Sequence, residues 1–299
     1  MKKILVIGAT NIDIIGISHL EVISQDSNPG TVQIEFGGVG KNICENLNRL
    51  GEEVELVTFI GGGNFGKTIQ EYLTKIHIKY DHSYIDESKE CGKYVAIHDA
   101  NGVIISGIND FSLIESVGLP FFEQLHDYIN SFETLVFDTN LSQSVLTYLI
   151  QTYQHKMIIV DGVSQTKVKR VQSVLQHIDL LKVNLHELSS LIEKPVNDVI
   201  LGVRELITLG LKYAIVTNGK EPITYNIEKR IYQTFIFEPA SIQSSVGAGD
   251  ALLSGIIFGL NHGKSVHEAL NYGKKAASFT MEVGQACNPL LTSLVIEEE

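Results

Sequence analysis

The chain has 299 residues, 44% of them hydrophobic and 19% charged, the composition of an ordinary globular protein with a sizeable core. Its 23 Lys and Arg stand against 35 Asp and Glu, a net charge of −12, which argues against nucleic acid or an anionic membrane surface as the main partner but not against a small anion held by backbone N–H groups. Cys44, Cys91 and Cys287 fit neither a disulfide framework nor a zinc site, and the apolar run after Met1-Lys2-Lys3 is too short for a signal-peptide core, so a cytoplasmic protein is expected.

Ile4-Leu5-Val6-Ile7, ending in Gly8, reads as a strand buried on both faces. Asn11 and Asp13 follow, where open α/β sheets bind ligands; they read equally well as partners for sugar hydroxyls or as turn residues. Thr31 to Phe36 alternates like a half-buried strand after the turn Asn28-Pro29-Gly30. Gly37-Gly38-Val39-Gly40-Lys41-Asn42 then opens a helix with Ile43, Leu47 and Leu50 on one face, stopped at Gly51. Glycine there lets a ligand approach the backbone, and Asn42 can donate and accept towards hydroxyls. Lys41 reads as a phosphate contact or as a solvent-facing lysine.

Val54 to Ile60 reads as a further core strand, and Phe65, Ile69, Leu73 and Ile76 as the buried face of the next helix. Lys93 to Ile108 forms a hairpin turning at Asn101-Gly102 and followed by Asn109-Asp110. With the strand at 31–36 it makes a small accessory sheet. From Glu133 the period is regular: strands at 135–138, 157–161, 180–184 and 213–217 alternate with helices, which implies a parallel sheet covered on both faces. Asn184, Glu187, Thr217 and Asp250 fall just beyond strand ends, on the ligand-binding side. Glu297-Glu298-Glu299 reads as a solvated terminus.

The stretch Ser244-Ser245-Val246-Gly247-Ala248-Gly249-Asp250 precedes an apolar helical run. Gly-Ala-Gly makes a tight turn whose N–H groups, with the helix dipole, can face one anion. Asp250 at its mouth reads either as a helix-capping carboxylate or as a general base beside a phosphate.

Gly37-Gly38 with Asn42 and the helix ending Leu47-Asn48-Arg49-Leu50-Gly51, Val246-Gly247-Ala248-Gly249-Asp250-Ala251, Asn184-Leu185-His186-Glu187 and Thr217-Asn218-Gly219 together resemble, in order and over nearly the whole chain, the motifs of the ribokinase-like (pfkB) carbohydrate kinases. The resemblance implies one domain over 1–299: a doubly wound, mostly parallel α/β sheet with a small β-sheet lid from segments near 14–36 and 93–112. It implies ATP, Mg²⁺ and phosphate transfer to a hydroxyl of a small nucleoside or sugar, and it allows a homodimer through the lid. In these roles Asp250 is the base and Gly247, Ala248 and Gly249 form the anion hole. Asn11, Asp13, Gly37, Gly38, Asn42 and Asn109 hold the acceptor. Asn184, Thr217, Gly219 and Ser245 line the nucleotide, and Glu187 and Asn184 bind Mg²⁺ through water. The Asn28-Pro29-Gly30 turn, the Gly37–Ile43 entrance, Gly107-Ile108-Asn109-Asp110 and Asp161-Gly162-Val163-Ser164 with Lys167 resemble the pseudouridine kinases within the family.

Two departures bear on these roles. Ser244, Ser245 and Val246 replace the Asp, Thr and Thr frequent before the anion hole, which leaves potassium dependence open. Pro222 stands where a second glycine commonly follows Thr217-x-Gly219. Another kinase of the family and a non-catalytic sugar- or nucleoside-binding regulator are the competing functions, and an intact Asp250 argues against the second. A dinucleotide-binding dehydrogenase is disfavoured, since Gly8-Ala9-Thr10-Asn11 lacks the spaced glycines.

Overall fold

The architecture follows from where the sequence places fully apolar strands. It is described by a computed structural model for residues 2–297, so Glu298 and Glu299 of the acidic tail lie outside the described residues. The strands, in chain order, are β1 Ile4–Ile7, β2 Asn11–Ser18, β3 Gly30–Gly37, β4 Val54–Val57, β5 Phe59–Gly61, β6 Tyr84–Asp86 and β7 Gly92–His98. They continue with β8 Ile104–Asp110, β9 Thr134–Asp138, β10 Met157–Asp161, β11 Leu180–Asn184, β12 Tyr213–Asn218, β13 Glu221–Ile227 and β14 Arg230–Thr234.

The main sheet has eight strands in the order β14-β13-β12-β11-β10-β9-β1-β4. The run from β12 to β4 is parallel, and β13 and β14 add an antiparallel edge. Every side chain of β1 is fully buried, and burying each such aliphatic group is worth about 1.5–3 kcal/mol. That fixes β1 inside the sheet, with β4 on one side and β9 on the other. The order reverses there, and the crevice beyond such a reversal is where open α/β sheets take ligands.

Helices cover both faces. The helix Val39–Arg49 buries Ile43, Cys44 and Leu47 and ends at Leu50, with Gly51 at φ +85°. The segment Val168–His177 is a 3₁₀ helix; its buried Val168, Val171 and Val174 recur every three residues, the period at which 3₁₀ side chains eclipse.

A separate four-stranded sheet, β3-β2-β7-β8, stands off the main one. The expected hairpin is present, its turn closed by Gly102 N–H donating to the Asp99 carbonyl at 3.0 Å with Gly102 at φ +79°. Register puts Asp13, Tyr94 and Asn109 side by side across β2, β7 and β8, and Glu35 opposite Asp13 on β3. The other face carries Val32, Ile34, Val95, Ile97 and Ile108.

One reading of the sequence is corrected. Val54 to Ile60 is not one strand: β4 stops at Val57, the Thr58 hydroxyl donates to Thr10 Oγ1 at 2.8 Å, and β5 pairs with β6 in a two-stranded sheet. After Gly219 the chain forms β13, paired back onto β12, a strand the sequence did not announce. Pro222 is tolerated because it sits where the ladder shifts register, between Asn218 and Val216, and no N–H is needed there.

Candidate active site

The 14-residue helix Ala248–Asn261 starts at Gly247, whose φ of +76° and close approach to the Ala286 carbonyl admit no side chain. The Ala248 N–H turns to the Ser245 carbonyl at 3.3 Å. Among the described residues, the N–H groups of Gly247, Gly249 and Asp250 have no acceptor, so three donors at a positive helix end remain for an anion. The N–H of Ala248, expected in a nest with those of Gly247 and Gly249, is thus engaged, and that of Asp250 is open beside them.

Asp250 is buried, and its Oδ2 accepts from Asn42 Nδ2 at 2.7 Å across 208 residues of sequence. This bond joins the two glycine-rich motifs. Asn42 in turn receives the Cys287 thiol on both its oxygens at 3.7 Å. Burial, then the Asp161 carboxylate, raise the Asp250 pKa to about 7, against the pull of Lys182, Asn42 and Lys41. A carboxylate that titrates near neutrality suits a general base better than a surface cap.

Asp161, the last residue of β10, and Lys182, in the middle of β11, stand beside it. Lys182 Nζ lies 3.0 Å from Asp161 Oδ2, and Asp161 Oδ1 takes the Val163 N–H at 2.8 Å. Burial works against the charged Lys182, but Asp161, Asp250 and Glu187 outweigh it and hold its pKa above the usual lysine value. A Cβ on Gly249 would meet Lys182 Nζ at 2.6 Å.

Of the residues expected to hold the acceptor, Asn11 Nδ2 donates to Asp13 Oδ1 at 2.5 Å. Burial lifts the Asp13 pKa to about 6, opposed by Asn11 and Lys41. Gly37 leaves room for the Asp13 carboxylate, and Gly38, at φ +106°, packs against the Ala9 carbonyl. Asn109 is exposed at the outer strand of the small sheet. Lys41 fits neither reading offered for it: it is 1% exposed, paired with Glu45 at 3.1 Å and sits 5.5 Å from the Tyr72 ring centre.

Of the residues expected to line the nucleotide, Asn184 and Thr217 are opposite one another near the ends of β11 and β12, and Gly219 follows at φ +58° with open space around it. Ser245 is exposed in the loop before the anion turn. Asn184 and Glu187 form a reciprocal helix cap: Asn184 N–H and Nδ2 donate to Glu187 at 2.8 and 2.6 Å, and Glu187 N–H returns to Asn184 Oδ1 at 2.9 Å. Burial and Asp161 raise the Glu187 pKa, with Lys182 and the Asn184 N–H opposing. No cluster of three or more His, Cys, Asp or Glu suited to a metal occurs among the described residues. A buried carboxylate already engaged in a cap fits Mg²⁺ held at one remove, through its waters, rather than a dedicated protein cage.

Three residues that order the site were not picked out as site residues in the sequence. Asp138, fully buried, accepts the N–H groups of Ala9 and Gly40, both at 2.8 Å, and that of Asn140 at 2.9 Å, pinning β1's exit to the glycine-rich entrance. Asp161 and Lys182 are the others. The available signal for Lys182 was a charge inside the otherwise apolar Leu180-Leu181-Lys182-Val183, and for the aspartates a carboxylate ending a core strand. Lys167, noted only through resemblance, donates to Asn140 Oδ1 at 2.7 Å and lies 3.9 Å from the Phe111 ring centre at the foot of the hairpin.

The chain matches the model of the pfkB family carbohydrate kinases over residues 1–293. It belongs to that family. Among curated proteins it is 25% identical to a pseudouridine kinase of Escherichia coli, over 97% of this chain and 93% of the relative. It is 27% identical to a guanosine-inosine kinase of Exiguobacterium acetylicum, over 93% of this chain and 94% of the relative. Among solved structures, an Arabidopsis thaliana ribokinase complexed with ribose and ATP superposes with a TM-score of 0.84 at 20% identity, over all of this chain and 99% of that one. The fold is therefore ribokinase-like, and this pfkB kinase is a phosphotransferase acting on a hydroxyl group, in a family that uses ATP. No helix among the described residues is long and apolar enough to cross a membrane.

Proposed function

We propose that this pfkB kinase phosphorylates the 5′-hydroxyl of pseudouridine, as a cytoplasmic enzyme of one domain whose small sheet is the lid. The observation that carries the phosphoryl-transfer chemistry is the buried Asp250, poised near neutrality beside three unpaired N–H donors. Asp250 takes the proton of the attacking hydroxyl, and the N–H groups of Gly247, Gly249 and Asp250 hold the oxygens of the transferred phosphoryl. Asp13, Asn11 and Gly38 position the ribose, with Asn42 orienting Asp250. Thr217, Gly219 and Ser245 lie along the nucleotide. Glu187 with Asn184 would steady the waters of a Mg²⁺ bound with ATP, which would supply the neutralisation of phosphate charge.

The acceptor rests on the lid. Asp13, Tyr94 and Asn109 share one face, so a ribose held at Asp13 places its base under Tyr94 and Asn109. Similarity to a pseudouridine kinase and the Gly107–Asp110 resemblance favour that base over others. Pseudouridine keeps a free N1–H where uridine has its glycosidic bond. A site built to accept that donor can reject the analogue lacking it by up to about 10⁴–10⁵-fold. The test is kcat/KM for pseudouridine, uridine and ribose at fixed ATP and Mg²⁺, with the expected order as written. Ribose or uridine matching pseudouridine would replace the acceptor and leave the family activity standing. Three free, buried cysteines agree with a reducing compartment.

A second copy of the chain would cover the lid's outer face. Val32 and Ile108 there are 70% and 72% exposed, with Ile34, Val95 and Ile97 also open, an apolar face larger than scattered surface residues account for. Sedimentation should show a dimer that Ile34→Asp with Ile108→Asp dissociates; a monomeric parent chain at tens of micromolar would refute it.

A further inference from the structure

We propose that Lys41 is a positioning residue for the reaction: a buried cation, surplus to its own ion pair, that keeps the Asp250 carboxylate charged and ready for the acceptor's proton. The proposal rests on the reading of Asp250 as the base. Lys41 is 1% exposed in the first turn of the helix Val39–Arg49. The next residue is Asn42, whose Nδ2 donates to Asp250 Oδ2 at 2.7 Å.

The charges of this ion pair do not balance. Lys41 Nζ meets Glu45 Oε2 at 3.1 Å, but that carboxylate is already matched. Arg49 donates to Glu45 Oε1 through Nε at 3.1 Å and Nη2 at 2.8 Å, and the Tyr72 hydroxyl lies 3.0 and 2.9 Å from its two oxygens. Two cations share one carboxylate, so the group carries a positive charge into the fold. Water reaches the Arg49 side chain, 22% exposed, but not Lys41. The Tyr72 ring closes one side of the ammonium, its centre 5.5 Å from Nζ, and Phe36 stacks on that ring at 4.1 Å. A buried charge left without a counter-charge is costly, so Lys41 calls for a carboxylate beyond Glu45.

Asp250 answers that need. Facing it are Lys41 and Asn42 from this helix, Asp161 from β10, Lys182 from β11, and Cys287, whose thiol burial pushes up to about 12 and so keeps neutral. Lys182 is matched by Asp161 at 3.0 Å. Among the described residues Lys41 is therefore the cation of this set whose charge is left over for Asp250. Burial, then Asp161, raise the Asp250 pKa, and Lys41 stands with Lys182 and Asn42 among the groups that hold it down. At Asp13 burial again raises the pKa, and Lys41 opposes it with Asn11. Although burial works against its charge, the groups around Lys41 hold its own pKa above the usual lysine value, so it exchanges no proton in the reaction.

The test is kcat against pH for the full chain, with saturating ATP and the best acceptor among pseudouridine, uridine and ribose. The parent's rising limb should have its midpoint near 7, where burial and Asp161 set Asp250. Lys41→Met should move that midpoint up by about one pH unit, as losing an opposite charge near a carboxylate does. Its kcat should then be about tenfold below the parent's near pH 6 and close to it above about pH 9. Lys41→Arg keeps the charge and should keep the midpoint. Glu45→Gln removes the shared anion, leaves both cations, and should move the midpoint down. Opposite shifts from the two halves of one ion pair distinguish this role from a structural one, since a loosened helix would lower kcat alike at every pH. Should Lys41→Met fail to fold, the downward shift in Glu45→Gln decides. A midpoint unmoved in these variants, or moved the same way in both, would overturn the proposal. Asp250→Asn separates that failure from failure of the base reading. A limb that persists without Asp250 overturns the base reading and the proposal with it; a limb lost there but indifferent to Lys41 overturns the proposal alone.

Discussion

Asp250→Asn is expected to fold and bind ATP normally and to lose about 10²–10⁴-fold in kcat, the usual worth of general-base assistance. Asparagine keeps the shape and can still meet Asn42, whose Nδ2 lies 2.7 Å from Asp250 Oδ2, but it cannot take a proton. The pH dependence is the sharper signature. The carboxylate is the active form, and its pKa is raised to about 7 by burial and Asp161, against Lys182, Asn42 and Lys41. Activity should therefore rise with pH through a midpoint near 7 and fall away below it, as Asp250 becomes protonated. An ordinary aspartate would hold full activity down to about pH 5. In Asp250→Asn the residual rate should lose that limb. A variant within threefold of the parent at saturating substrates would reduce Asp250 to a helix-end carboxylate.

The fold was legible because its signals are local. Ile4–Ile7 and the regular alternation after Glu133 can bury their side chains only as parallel strands, and Gly51 and Gly102 mark their turns by backbone geometry. β13 was not legible, because Pro222 is compatible with a paired strand only beside the register shift, which the sequence does not show. The site was half legible for a related reason. Gly247–Asp250 and Gly37–Asn42 announce themselves through glycine, whose absence of a side chain is itself the signal. Beyond the local turns to Asn140 and Val163, Asp138, Asp161 and Lys182 act through partners 21 to 129 residues away, so no short window of sequence contains those interactions. Lys41 shows the converse. A lysine in a glycine-rich entrance invites a phosphate, yet Glu45 one helical turn on claims it, and Tyr72 and Arg49 share the same carboxylate.

Gly249→Val should strike the chemical step rather than acceptor binding, lowering kcat by about 10²–10³-fold, or about 2.7–4 kcal/mol, the cost of one lost oxyanion donor. Its mechanism differs from that of Gly247. At Gly247 a side chain would meet the Ala286 carbonyl and face a left-handed φ of +76°, so backbone must move and the fold itself suffers. At Gly249 the obstacle is the end of a flexible side chain, Lys182 Nζ at 2.6 Å, which can swing aside. The helix survives, but Lys182 leaves its place beside the anion turn and its 3.0 Å pairing with Asp161. If the damage travels through Lys182, Gly249→Val combined with Lys182→Met should cost little more than the worse single change, since one interaction cannot be lost twice. Thermal denaturation would check that each chain is folded, and kcat with acceptor KM would place the defect. Unaltered turnover in a folded Gly249→Val chain would remove the anion turn from the reaction, and fully additive losses would show that Gly249 and Lys182 serve it separately.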